Sequence, residues 1–116
     1  MQVLVNTDNH VSGGEELTSL VGATLQEALG RFGDRITRVE VHLTDENSRA
    51  KESETDKRCV MEARLAGLEP VTVSDQGATL EQVIDGAAER LVRTLTRTLE
   101  RLDDPKGRTS FAGEPQ

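Results

Sequence analysis

The sequence predicts an α+β fold, a two-layer sandwich with the order β-α-β-β-β-α, in which a four-stranded mixed sheet carries both helices on one face. Three observations lead there. Four short stretches alternate apolar and polar residues with period two, as half-buried strands do. Two longer stretches repeat apolar residues at spacings of three and four, as amphipathic helices do. One of these helices separates the first two strands, which makes that pair parallel through a right-handed crossover; the other strands follow one another through turns and form an antiparallel meander. With 116 residues the chain supplies one core and not comfortably two. The expected division is one α/β domain over residues 1–104 and a flexible C-terminal tail over 105–116.

Taken in order, Val3 and Val5 alternate with Gln2, Leu4 and Asn6 in the first strand, and Thr7-Asp8-Asn9-His10 reads as a turn. Ser12-Gly13-Gly14-Glu15 has the spacing of a capping box, and Glu15 and Glu16 sit where the helix dipole favours negative charge. Leu17, Leu20, Val21, Leu25, Ala28, Leu29 and Phe32 form one apolar stripe, with Gly33 placed as a left-handed cap. Gly22 and Gly30 each weaken this helix by about 1 kcal/mol relative to Ala and are candidates for close packing. Over 36–44, Val39, Val41 and Leu43 share one face, and Arg38, Glu40 and His42 the other. Residues 45–56 are polar throughout and read as a mobile hairpin tip.

In the third strand, over 58–66, Cys59, Met61, Ala63 and Leu65 face inward. Gly67-Leu68-Glu69-Pro70 turns the chain into a short fourth strand over 71–74, with Val71 and Val73 inward, and Asp75-Gln76-Gly77 is expected to break it. Thr79-Leu80-Glu81-Gln82 is a second capping box. Leu80, Val83, Ile84, Ala87, Ala88, Leu91, Val92, Leu95, Leu99 and Leu102 then make the longest apolar stripe, with Gly86 its only glycine and Asp103-Asp104-Pro105 its end. The sheet face away from the helices carries Arg38, Glu40, His42, Arg58, Glu62, Arg64, Thr72 and Ser74 and should be open to water.

Composition narrows function by exclusion. Trp and Tyr are absent, and Phe32 and Phe111 are the only aromatic residues, which leaves no platform for base stacking and no aromatic interface anchor. Cys59 is the single cysteine, which excludes an internal disulfide and a multi-cysteine metal site, and His10 and His42 are little material for zinc. His42 reads as a solvated surface histidine and Cys59 as a small buried hydrophobe. No GxSxG, P-loop, HExxH or paired-cysteine motif occurs, so no catalytic residue, metal site, cofactor or small-molecule substrate is expected. No apolar run approaches the roughly 18–20 residues that span a bilayer, and Met1-Gln2-Val3-Leu4-Val5-Asn6 lacks the pattern of a secretory leader; a cytoplasmic protein without a membrane partner is expected. The net charge is −7, from 14 basic and 21 acidic residues, which taken alone weighs against a nucleic-acid ligand.

One pattern runs against that balance. Arg90, Arg93, Arg97 and Arg101 follow one another at spacings of three, four and four. At about 100° per residue they fall within an arc of roughly 80°, on the side of the last helix away from its leucines. Such a ridge is either a solvated face that complements the negative end of the helix dipole or a phosphate-contacting row, because the guanidinium fork matches phosphate oxygens bidentately. A second basic group, Arg38, Lys57, Arg58 and Arg64, is interleaved with Glu40 and Glu62 on neighbouring strands, where cross-strand ion pairing accounts for it.

The order of elements, the junction Phe32-Gly33-Asp34-Arg35-Ile36 and its continuation Thr37-Arg38-Val39-Glu40-Val41-His42-Leu43 are one part of a larger pattern. Lys57-Arg58-Cys59 opening the third strand, and Leu80-Glu81-Gln82-Val83-Ile84-Asp85-Gly86-Ala87 leading into the arginine helix, complete it. Over about residues 1–102 this pattern resembles the hibernation-promoting factor and ribosome-associated inhibitor A family, also known as sigma factor modulation proteins. The resemblance implies a non-enzymatic factor of the bacterial cytoplasm that binds small-subunit rRNA and inhibits translation or promotes ribosome hibernation under stress. By position it implies rRNA contacts at Arg90, Arg93, Arg97 and Arg101, at Arg31 in the first helix, and at Lys57 and Arg58 at a strand start. The family's first helix carries several lysines where this chain has Glu15, Glu16, Gln26 and Glu27. That departure supports an alternative, an interaction module on the same fold that has lost RNA binding and uses its acidic surface for a basic protein partner.

Overall fold

The period-two and helical patterns fold into strands and helices in the expected order. The computed structural model describes residues 1–8, 14–45 and 57–103. Strands β1 (Gln2–Thr7), β2 (Ile36–Asp45), β3 (Lys57–Leu65) and β4 (Val71–Gly77) lie side by side in chain order. β1 and β2 are parallel, with Gln2 opposite Arg38 and Thr7 opposite Leu43; β2–β3 and β3–β4 are antiparallel. Helix α1 (Gly14–Leu29) connects the parallel pair, and α2 (Leu80–Asp103) follows β4. Both helices bury their apolar stripes against the same sheet face. Leu17, Val21, Leu25 and Leu29 of α1 and Val83, Ile84, Leu91 and Leu95 of α2 share one core with Val39, Val41, Leu43, Cys59, Met61 and Ala63. Val3, Val5, Val71 and Val73 of the two outer strands pack at its margin.

Several local expectations are corrected. Helix α1 stops at Leu29 and passes into a 3-10 segment, Gly30–Arg35, which carries Phe32 half-buried against the core. Gly33 has the positive φ expected of it, +57°, but its ψ of −132° lies in the mirror-image extended region and not in the left-handed helix, so it swings the chain out of the helix layer into β2. Leu20 and Leu102, counted into the apolar stripes, are 37% and 53% exposed. Gly22 and Gly30 do not mark close packing, since a Cβ at either would meet nothing within 4 Å. Strand β2 contains a bulge: Ile36 pairs with Leu65 and Arg38 with Arg64, so Thr37 is an extra residue and Ile36 turns inward on the same side as Val39.

Strand β4 does not break after Ser74. It pairs with β3 as far as Gly77, and Asp75, two residues on from Val73, stands opposite Cys59. The Thr79 cap of α2 forms, and the Gln82 side chain reaches back one residue past the cap instead of to Thr79 itself. The Gln82 N–H donates to Thr79 Oγ1 at 3.1 Å, and the Ala78 N–H donates to Gln82 Oε1 at 3.3 Å. The Asn9-His10 turn, the Ser12 capping box, all but the first residue of the 45–56 loop and the 105–116 tail lie outside the described residues.

On the open sheet face, cross-strand ion pairing is replaced by pairing along each strand. Arg38 faces Arg64 and Glu40 faces Glu62 across the strands, so like charges oppose each other. The attractive contacts run along β2, Arg38 Nη2 to Glu40 Oε2 at 2.8 Å, and along β3, Arg64 Nη2 to Glu62 Oε1 at 4.0 Å. Lys57 Nζ to Asp45 Oδ2, at 3.4 Å, does bridge two strands, but at the inward parity, two residues away from Cys59 and Leu43, and not on the open face. The partly exposed pairs along each strand offset the like-charge rows and add little to net stability.

Cys59 is fully buried, as its inward parity predicts. Burial, reinforced by the negative charge of Asp75, pushes its thiol up from the ordinary 9.0 to about 12. Between these values the unfolded chain has lost the proton and the folded chain keeps it, so stability falls as pH rises above about 9, by up to about 1.4 kcal/mol per pH unit. Urea unfolding of the wild type should therefore weaken at alkaline pH more than that of Cys59→Ala. Equal pH dependence of the two proteins would refute this.

Candidate nucleic-acid interface

The placement of the arginines follows from the leucines. Leu91, Leu95 and Leu99 are buried and fix the rotation of α2 over β3 and β4. β4 is one of the two edge strands, and α2 packs over it, so one flank of α2 looks past that edge of the sheet. On that flank Arg90, Arg93 and Arg97 line a groove with Thr94 of the helix and Thr72, Val73 and Ser74 of β4. An adjoining hollow is lined by Arg58, Ser74, Asp75, Gln76 and Arg90. Arg101 continues the row beside Leu68, Glu69, Pro70 and Val71. From Arg90 to Arg101 the helix rises about 16 Å.

All four helix arginines are exposed. Among the described residues only Arg90 of the four forms an ion pair, its Nε lying 3.7 Å from Asp75 Oδ1. Arg93, Arg97 and Arg101 form no ion pair within 4 Å among the described residues, although Glu89 shares a groove with Arg93 and Glu69 a hollow with Arg101. Exposed acidic residues include Glu15, Glu16 and Glu27 of α1 and Glu81, Asp85, Glu89 and Glu100 of α2. Glu27, Asp85 and Glu89 line a groove between the two helices with Thr24, Ala28, Ala88, Val92 and Arg93, so Arg93 borders both this groove and the one at β4. Among the described residues the exposed arginines of α2 thus face the β4 edge, while carboxylates crowd the exposed side of α1 and the first half of α2.

Of the seven residues singled out from the sequence, the fold gathers Arg58, Arg90, Arg93 and Arg97 along the β4 edge and sets Arg101 at the end of the same row. Arg31 and Lys57 are not part of that gathering. Arg31 lies in the 3-10 segment with its guanidinium carbon 5.6 Å from the Phe32 ring centroid. Lys57 faces Asp45 where β2 and β3 pair. Sequence reasoning missed Asp75, Gln76 and Thr94 as parts of the site. The signal for Asp75 was the period-two continuation from Val71 and Val73, hidden by three residues that favour turns. Among the described residues no three His, Cys, Asp or Glu side chains gather to hold a metal ion, and no helix is long and apolar enough to cross a membrane.

Fold and edge together define a small two-layer α+β domain that presents fixed positive charge along one margin of its sheet. The family model for sigma 54 modulation protein / S30EA ribosomal protein matches residues 4–103, and the chain belongs to that family, in agreement with the resemblance carried by its sequence. The fold is shared with a ribosomal subunit interface protein from Coxiella burnetii, with a TM-score of 0.69 and 13% identity over 86% of this chain and 99% of that one. It is shared also with the N-terminal domain of Thermus thermophilus Protein Y, with a TM-score of 0.66 and 21% identity over 84% and 99%. No curated protein matches the sequence. At these identities the structural likenesses speak for the fold.

Proposed function

We propose that this protein is a ribosome-associated, non-enzymatic factor of the cytoplasm. It binds small-subunit rRNA along the β4 edge and there inhibits translation or holds ribosomes inactive under stress. The observation that carries this reading is the row of exposed arginines, three of them without an ion-pair partner among the described residues, at an open sheet edge of a chain whose net charge is negative. Membership of a family described as ribosomal protein supports it, as does the likeness to a ribosomal subunit interface protein from Coxiella burnetii. With no Trp or Tyr, binding draws on phosphate contacts and shape, and base identity contributes little. Arg58, Arg90, Arg93, Arg97 and Arg101 form the continuous part of the contact surface, and Arg31 and Lys57 would add contacts outside it.

Co-sedimentation with ribosomes across a salt series tests the reading. Binding should be strong near 50 mM salt and fall steeply toward about 200 mM, as counterion release requires. A protein that stays in the supernatant at the lowest salt would end the proposal. The acidic groove at Glu27, Asp85 and Glu89 favours a second reading, a site for a basic protein segment. Ribosome binding lost on changing those three residues to their amides, and kept on changing the arginines, would move the assignment there.

A further inference from the structure

We propose that Asp75 is the positioning residue of the arginine edge: it holds Arg90 by the inner end of its guanidinium so that the outer fork faces an incoming phosphate group. This rests on the reading of the β4 edge as a phosphate-binding surface. Asp75 is the only carboxylate among the residues that line the two hollows of that edge, and by charge alone it opposes an anionic ligand. Its geometry gives it another role. It lies beneath α2 at the inward parity of β4, with a side chain only 23% exposed. Its carboxylate occupies the space left by Gly86, where a Cβ would overlap both Oδ2 and Cγ. Gly86 is the only glycine of α2 and costs the helix about 1 kcal/mol relative to Ala. The notch it leaves lets a carboxylate approach the helix backbone.

Arg90 is one helical turn beyond Gly86, on the same face. With one oxygen of Asp75 in the notch, the other lies 3.7 Å from Arg90 Nε. That contact is made at the inner end of the guanidinium and not at its two terminal nitrogens, on a side chain that is 56% exposed. With Nε taken up by Asp75, those two nitrogens are the pair that can grip a phosphate end-on and bidentately. Holding the stem in place beforehand removes part of the rotamer entropy that a free arginine loses on binding.

Charge and positioning predict opposite signs, which makes the test decisive. Ribosome co-sedimentation is measured for wild type, Asp75→Asn, Arg90→Ala, the double variant, and Arg93→Ala/Arg97→Ala. Positioning predicts that Asp75→Asn weakens binding roughly two- to tenfold. It also predicts a lower salt slope, by up to one phosphate contact or about 0.7–0.9. In the Arg90→Ala background the same change should bring no further weakening, because its effect passes through Arg90. Gly86→Ala, which expels the carboxylate from its notch and keeps its charge, should weaken binding likewise; it serves if Asp75→Asn fails to fold. Tighter or unchanged binding by a folded Asp75→Asn, or equal weakening with and without Arg90, would overturn the positioning role. Wild-type binding by Arg93→Ala/Arg97→Ala would instead overturn the phosphate-binding reading, and the role of Asp75 with it.

Discussion

Replacing Arg90, Arg93, Arg97 and Arg101 together by alanine should remove most of the salt-dependent binding to ribosomes while leaving the fold intact. Removing one phosphate contact lowers the slope of log K against log salt by about 0.7–0.9, so four contacts correspond to a fall of roughly 3. A slope of that size changes affinity on the order of a hundredfold between about 50 and 200 mM salt. The fold survives because all four side chains are exposed and only Arg90 has an ion pair, worth less than about 1 kcal/mol at such exposure. Alanine is also the better helix former. The variant loses four positive charges wherever they lie, so a control is needed that removes cations away from the edge. Arg31→Ala/Arg64→Ala does so, because Arg31 stacks on Phe32 and Arg64 lies on the open sheet face. Weakening of the control by as much per charge as the quadruple variant would show net charge, and not the β4 edge, to be at work.

The second large effect is on stability. Leu91→Ala should destabilise the protein by about 3–4 kcal/mol in urea unfolding, within the range of about 2–5 kcal/mol for buried leucines truncated to alanine. Leu91 is fully buried and belongs to the one core shared by both helices and the sheet. Small domains have about 5–15 kcal/mol in total, so this is a large share of it. Leu91→Met keeps the volume and should lose less than about 1.5 kcal/mol. A loss below about 1 kcal/mol for the alanine variant would contradict the packing of α2 on the sheet, and with it the rotation that turns the arginines toward β4.

Most of the fold was legible from residue order, and the reason is periodicity. A pleat or a helical turn is decided by neighbours two to four positions away, so Val39, Val41 and Leu43, or Leu91, Leu95 and Leu99, declare their common face in the chain itself. The Thr79 cap and the angular row of four arginines are of the same local kind, and both were legible. The departures arise where a partner remote in sequence intervenes. The ladder with β3 carried β4 through Asp75-Gln76-Gly77, three residues with poor strand propensity. The bulge at Thr37 turned Ile36 inward against its alternation.

The site divides along the same line. Residue order alone established that one helix carries leucines on one flank and a guanidinium row on another, because both follow from the rise and turn of a single helix. That this row borders the free edge of β4 came from docking, as did the union of Arg58 with it from another strand and the exclusion of Arg31 and Lys57. So did the seat of Asp75 in the notch at Gly86. These are contacts between residues distant in the chain, and they exist only once burial of the leucines has locked the rotation of α2 on the sheet.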